Sequence, residues 1–467
     1  MKISLEELAA AAEGRILFGS PALAFENITT ASGSIRGNDL FVPVIGEKTD
    51  GHLYIGSAFD NGAVCSLTMQ ENAAQRLNGY RDSKGLVLVE DSVTALQKLA
   101  VWFRKTYLHM PFIGVTGSVG KTTTREMICA ALRSGKRVYS TKGNANSQIG
   151  VPFTVLGADP EAEYGVVELG VSEFGEMRKI AEIADVGIAV ITNIGISHLA
   201  QFRTQENILR EKLRILSGPS KEAILLVNGD DPFLCGLTAE RIHELGIDPE
   251  KEIRFLRYGT GEKCDYRAEN SVKTEGYPEF TFCSPKTECR LRLSVPGDHM
   301  VMNAAAAMAV CELCGLDPDR AAESLGSFTG YEGRGNRILR DGYTIINDCY
   351  NASPVSMRNG LNVLSELKAE GKKIAVLADM KELGDEEIRY HRELGQYINE
   401  SVKDLAVLYT YGELAALIGE EVRKNGRIRV REYRDQDLLK KDLYAEIGKG
   451  DILFLKGSQS MGLKKLI

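Results

Sequence analysis

The sequence predicts an α/β protein of three domains: a small N-terminal α/β domain over 1–107, a central doubly wound P-loop domain over 108–327, and a C-terminal Rossmann-like domain over 328–467. Three observations carry this expectation. Apolar runs of strand length alternate with helix-forming stretches, as in sheets covered on both faces. A glycine-rich turn joins one such run to one such helix at residues 114–124. The length of 467 residues is about three times the ~150 of an average domain.

Composition narrows the class. The formal charge is −7 with a pI near 5.7, which disfavours sequence-independent nucleic-acid binding, since that rests on neutralising phosphates. No run of ~18 apolar residues exists, so no membrane span is expected. The N-terminus reads as a short amphipathic helix, with Glu6 and Glu7 where a signal peptide needs an apolar core; a cytoplasmic protein, acting as a monomer, is expected. The nine cysteines lack framework spacing. In a reducing compartment they are mostly small apolar residues. Cys311 and Cys314 have zinc-like spacing but lie in an Ala-rich helical run with no second pair nearby. Cys283 and Cys289 flank a turn and read the same way.

In chain order, the N-terminal unit shows a short strand, Leu40 to Val44, followed by Asp50-Gly51-His52, either a plain turn or a substrate contact, with the turn favoured. Val93 to Leu108 has helical periodicity and bridges to the next domain. Phe112 to Val115 then feeds Gly114-Val115-Thr116-Gly117-Ser118-Val119-Gly120-Lys121-Thr122-Thr123-Thr124, and a helix leaves it. Strand, glycine-rich turn and helix is the context a phosphate loop requires. The backbone N–H groups of Gly117, Ser118 and Gly120 converge on an oxyanion at a helix N-terminus. Lys121 reaches outer phosphates, while the Thr122 hydroxyl suits Mg²⁺ and Thr123 lies next to it. The glycines fall at 114, 117 and 120, so the strict spacing of the common motif is not met.

The next strands end in polar residues. Val166 to Leu169 carries Glu168; Val186 to Ile194 runs into the Asn193-to-His198 turn; Ala223 to Val227 is closed by Asn228 to Pro232. In doubly wound sheets, ligands sit beyond such strand ends. Glu168 with Thr122 fits a hard cation that takes one or two protein oxygens, although a strand-end Glu alone is commonly solvated or paired. His198 is equally a ligand or a satisfied structural residue. Residues 251 to 296 read as β-rich, with alternation over Arg290 to Val295. A helix follows over Met300 to Cys314, with Asn303 in its first turn as cap or ligand contact, and a second over Pro318 to Leu325. The third unit has strands at Thr344–Ile346, Ile374–Leu377, Ala406–Tyr409, Ile428–Val430 and Ile452–Leu455. It lacks a phosphate loop of its own, which suits a lid or a second substrate site.

These residues resemble one family, the ATP-dependent Mur ligases of bacterial cell-wall synthesis. The loop is similar to the family's G-x-T-G-x-x-G-K-T-T-T, which accounts for the displaced glycine. Thr141 to Pro152, Ile191 to Gly195 with His198, and Gly297-x-His299-x-x-x-Asn303 match further motifs. Asp348-Cys349-Tyr350-Asn351-Ala352-Ser353-Pro354 with Ser356 and Met357, Leu377 to Gly384, and Lys456-Gly457-Ser458 with Met461 and Gly462 resemble the branch that adds D-alanyl-D-alanine.

The resemblance implies ATP and two Mg²⁺ as cofactors, and UDP-N-acetylmuramoyl-tripeptide and D-Ala-D-Ala as small-molecule substrates. It implies Lys121 on the ATP phosphates, Thr122 and Glu168 on one Mg²⁺, and His198 on a second. Lys212, matching a lysine the family carbamylates, would help position that ion; read alone, it is a charge on a solvated helix face. Asn303, Arg337 and Asp348 would contact the adenosine side, Asn144 and Asn146 the sugar–peptide, and Tyr350 and Asn351 the meeting point of the substrates. Two departures stand out. Ala31-Ser32-Gly33 replaces a D-S-R motif that seats uridine, leaving Ser32 as its surviving member, and Ser147 replaces an Asn. A related ligase adding a different residue, and a P-loop ATPase module without ligase activity, remain as alternatives.

Overall fold

In the computed structural model, which describes residues 2–467, the strand Phe112–Thr116 runs through a nine-stranded sheet. Its neighbours are Tyr164–Glu168 on one side and Val186–Ile191 on the other, both parallel to it. The chain leaves Phe112–Thr116 toward one edge, through Val138–Ser140, and later crosses to the other side. The carboxyl ends of the three central strands therefore lie side by side. Glu168 pairs in register with Val115, and Ile191 with Thr116. These strands are largely apolar until their carboxyl ends, because helices cover both faces.

Glu222–Asn228 and Glu252–Gly259 extend the same sheet in parallel, and the stretch read as β-rich supplies its antiparallel end: Tyr266–Thr274, Tyr277–Cys283 and Glu288–Arg292. The predicted strand to Ile194 stops at Ile191, because Asn193 and the residues after it turn back over the phosphate loop.

The N-terminal unit is a five-stranded mixed sheet, of which sequence reading found only the strand now seen as Asp39–Phe41, plus a two-stranded ribbon. The Asp50-Gly51-His52 stretch is a turn: Asp50 caps a short 3₁₀ segment, and buried His52 ties Asp50 to the Met69 amide. The helix Ser92–Tyr107, capped by Asp91 accepting from the Thr94 N–H at 2.7 Å, is the predicted bridge. One apolar core runs from Leu40, Leu67 and Val87 through Leu96, Leu99 and Phe103 to Val151, Met177 and Ile180 of the central unit. Arg104 adds polar ties, donating to the Ile183 carbonyl at 2.8 Å and to Asp185 at 3.0 Å.

The C-terminal sheet has six strands, ordered Asn336–Arg340, Tyr343–Asp348, Ile452–Lys456, Lys373–Ala378, Leu405–Tyr411, Arg429–Tyr433, all parallel after the first pair. It packs its own cores on its two faces. All nine cysteines are free. No helix among the described residues is long and apolar enough to cross a membrane.

Candidate nucleotide and ligation site

The phosphate loop leaves its strand at Gly117, whose φ of 147° and lack of a side chain are both required: a Cβ there would lie 1.9 Å from the Thr192 hydroxyl. The strand-end turn locks the loop. Asn193 accepts from the Val119 N–H at 2.9 Å and donates to its carbonyl at 2.8 Å; Thr192 donates to the same carbonyl at 2.7 Å; the Gly195 N–H donates to the Ser118 hydroxyl at 2.8 Å. Asp231 in turn fixes that turn by accepting from the Ile194 N–H. The helix Lys121–Leu132 starts immediately after the loop, so Gly117, Ser118, Gly120, Thr122 and Thr123 crowd its N-terminus. This geometry favours anions.

Two lysines meet on one oxygen. Lys121 donates to the Gly117 carbonyl at 2.9 Å and Lys212 to the same carbonyl at 3.0 Å. The expectation that Lys212 sits on a solvated helix face is corrected here: it is only 3% exposed, because the helix Gln205–Leu213 turns Ile208, Leu209, Glu211 and Lys212 inward. Burial and the neighbouring Lys121 charge pull its amine well below the ordinary lysine range, with Glu211 opposing. Burial also lowers Lys121, partly offset by Glu168.

Glu168 is 1% exposed at its strand tip. One of its oxygens accepts from Asn146 at 2.7 Å and the other from Arg125 at 3.1 Å. Asn303 is buried, accepts from the Thr124 hydroxyl at 3.0 Å and faces Gly120. His198 adopts a φ of 59° and places Nδ1 3.1 Å from Glu382 of the C-terminal unit, whose carboxyl it holds below the usual range.

A cleft with about 150 Å³ of accessible cavity volume lies between the two units. The phosphate loop, Ser197, His198, His299 and Asn303 line it from the central side; Arg334, Asp348, Asn351, Lys381, Glu382 and Lys456 line it from the C-terminal side. Asp348 is paired with buried Lys456. Tyr350 lies under the Arg334 guanidinium, 3.9 Å from its ring centroid, and burial pushes its phenol up while Arg334 opposes. Asn144 and Asn146 sit on the Thr141–Gly150 loop, which borders Glu168.

Gly117, Asn144, Asn146, Glu168, Lys212 and Tyr350 do not themselves line this cleft, and neither do Arg337 and Ser32. Arg337 lies on the edge strand Asn336–Arg340 and donates to the Tyr277 hydroxyl. Ser32 sits in the N-terminal unit, its carbonyl accepting from Asn61 at 2.9 Å. The arginine in the cleft is Arg334, which also reaches the Thr122 hydroxyl at 3.4 Å. Sequence reading missed Arg334 and Arg125. The first is separated from Arg337 by three positions with no periodic signal, and the second reads as an ordinary charge on the loop helix.

A phosphate loop on a doubly wound sheet, closed over by a second α/β unit, defines a nucleotide-binding protein whose site lies between domains. The Mur ligase middle domain matches residues 115–311 and the Mur ligase glutamate ligase domain matches 333–459. The UDP-N-acetylmuramoyl-tripeptide--D-alanyl-D-alanine ligase of Bacillus subtilis (strain 168) is 35% identical over 445 residues, covering 94% of this chain and 92% of the relative. A crystal structure of MurF from Acinetobacter baumannii superposes with a TM-score of 0.85 at 27% identity, covering 100% and 98% of the two chains. The MurF ligase of Thermotoga maritima in complex with ADP gives 0.79 at 29% identity, covering 94% and 96%. The chain belongs to the Mur ligase family.

Proposed function

We propose that this chain is an ATP-dependent ligase that joins D-alanyl-D-alanine to UDP-N-acetylmuramoyl-tripeptide in peptidoglycan precursor synthesis. The single observation that carries this is full-length similarity to relatives of that name, coupled to a cleft assembled from the matching motifs of two domains. Residues 1–107 are assigned to the uridine end of the acceptor, 108–327 to ATP and 328–467 to the dipeptide side, with Ser32 left as the N-terminal motif residue.

The acceptor carboxylate attacks the γ-phosphate, releasing ADP and leaving an acyl phosphate. The dipeptide amine then attacks the carbonyl carbon, its N–C bond forms, and phosphate departs with the C–O bond electrons. No protein nucleophile is required; positioning and charge neutralisation are. Lys121 and the loop N–H groups hold the outer phosphates. Asn303 and Asp348 take the adenosine side, with Arg334 in the place expected of Arg337. Asn144 and Asn146 address the sugar–peptide, and Tyr350 and Asn351 flank the junction.

Among the described residues no group of three or more His, Cys, Asp or Glu forms a cage. That fits Mg²⁺, which keeps waters and substrate phosphates and uses few protein oxygens. Thr122 and Glu168 would hold one ion, and His198 with Lys212 a second. Bound there, Mg²⁺ supplies charge neutralisation for the transferring phosphoryl group. An amine must be uncharged to add CO₂, and the buried, depressed Lys212 fits a carbamate.

The test is phosphate release measured against UDP-muramoyl peptides with and without D-Ala-D-Ala. Release should need both substrates. Steady hydrolysis without an acceptor would favour a bare ATPase, and release with another amino acid would reassign the ligase.

A further inference from the structure

We propose that Arg125 is a positioning residue that registers the acceptor-binding loop against the nucleotide loop, by holding the Glu168 carboxylate and the Gly143 carbonyl in one fork; this rests on the ligase reading above. Arg125 lies one helical turn after Lys121 on the loop helix, so the two side chains leave the same face. Its side chain is among the largest fully buried in the chain. A fully buried guanidinium is costly unless its donors are used. Here NH1 donates to Glu168 at 3.1 Å and to the Gly143 carbonyl at 3.0 Å, while Nε donates to Glu126 at 3.1 Å and NH2 to the same oxygen. The Tyr331 ring, on the approach to the C-terminal unit, closes the other side with its centroid 5.6 Å from the guanidinium carbon.

The arrangement is a chain of contacts rather than an isolated ion pair. Glu168 is bridged from Arg125 on one oxygen to Asn146 on the other, and its own N–H donates to the Thr141 hydroxyl at 3.0 Å. The Gly170 N–H donates to the Asn146 carbonyl at 2.8 Å, and a Cβ at Gly170 would press on the Asn146 amide at 2.9 Å. Loop residues 141, 143 and 146 are thereby tied to the helix that begins at Lys121. A single point charge satisfies Glu168 alone. Only a planar fork reaches Glu168, Gly143 and Glu126 together. Arg125 therefore orients Glu168 and fixes the backbone next to Asn144 in the same act.

The experiment uses the full chain with Arg125→Lys and Arg125→Gln, checked for folding by circular dichroism. Calorimetry reads the affinity for Mg·ADP and, separately, for UDP-N-acetylmuramoyl-tripeptide, alongside KM and kcat. Arg125→Lys should keep Mg·ADP affinity within about twofold but weaken tripeptide affinity and raise its KM about tenfold, the scale of one lost charge-assisted hydrogen bond. Arg125→Gln should weaken both. A lysine variant with wild-type tripeptide affinity and KM, and only a lower Tm, overturns the proposal by reducing Arg125 to a structural counter-charge. If the glutamine variant fails to fold, the lysine variant decides. Wild-type protein that takes up no Mg·ADP would instead overturn the ligase reading itself.

Discussion

The central unit is joined to its two neighbours by opposite kinds of chemistry. Toward the N-terminal unit the joint is an apolar core continuous through the helix Ser92–Tyr107, with Leu96 and Leu99 fully buried and Phe103 nearly so. Toward the C-terminal unit the joint is largely polar. Lys273, on the arm Tyr266–Thr274, pairs with Glu366 across the boundary; Lys368 reaches Glu275 at 2.8 Å, Arg337 the Tyr277 hydroxyl, and His198 meets Glu382. Apolar burial stabilises without direction, whereas exposed ion pairs contribute little and exchange readily with water. The contrast predicts a rigid joint toward the N-terminal unit and a movable one where the C-terminal unit faces the phosphate loop. Ligases of this design need domain closure to bring reacting groups together and exclude water.

The comparison breaks first at the apolar joint. Phe103→Ala should cost about 3–5 kcal/mol of stability, read as a lower denaturant midpoint for the N-terminal and central units together. An unchanged midpoint would mean the shared core is no weld. Next in size, Lys121→Ala should lower kcat by about 10²–10³ while the melting temperature stays near that of wild type. Near-normal turnover would remove the loop's assigned role.

A pH effect sharpens the contrast within the mobile side. His391 is fully buried, accepts from the Met380 N–H at 3.0 Å and donates to the Glu387 carbonyl, which fixes the turn carrying Lys381 and Glu382. Burial depresses its pKa below the ordinary 6.5. The unfolded chain then takes up the proton first, so this contribution is fully present above about pH 6.5 and lost as pH falls toward the folded-state value. His391→Gln should flatten the acid side of the C-terminal unit's stability profile, and an unaltered profile would assign that slope elsewhere. The smallest effect belongs to Lys273→Ala. It should change stability by less than about 1 kcal/mol but weaken the salt dependence of nucleotide-induced closure, measured by small-angle scattering with Mg·ADP. Salt dependence equal to wild type would rule the arm out as an electrostatic clasp.

Much of this was legible because buried parallel strands announce themselves as apolar runs and because polar residues at their carboxyl ends are brought together beside the phosphate loop. Val186–Ile191, Lys373–Ala378 and Ile452–Lys456 are of that kind. The Gly117-to-Lys121 loop declared itself by its glycines and its place between strand and helix. The edge strand Asn336–Arg340 and most of the N-terminal sheet were not visible, because short, half-exposed strands have neither an apolar run nor a clean alternation. Arg125, and the burial of Lys212, escaped for a related reason. Local sequence marks a charge but not its burial, and both are buried by partners distant in the chain, the Gly117 carbonyl for one and Glu168 for the other.

The cleft between the mobile unit and the welded pair has a practical consequence. On the closure predicted above, its walls belong to bodies that travel relative to each other, with Asn303 and His299 on one bank and Asp348, Lys381 and Lys456 on the opposite one. A small molecule gripping both banks would act as a doorstop. It could arrest the catalytic cycle without imitating a nucleotide or a peptide, by jamming the swing.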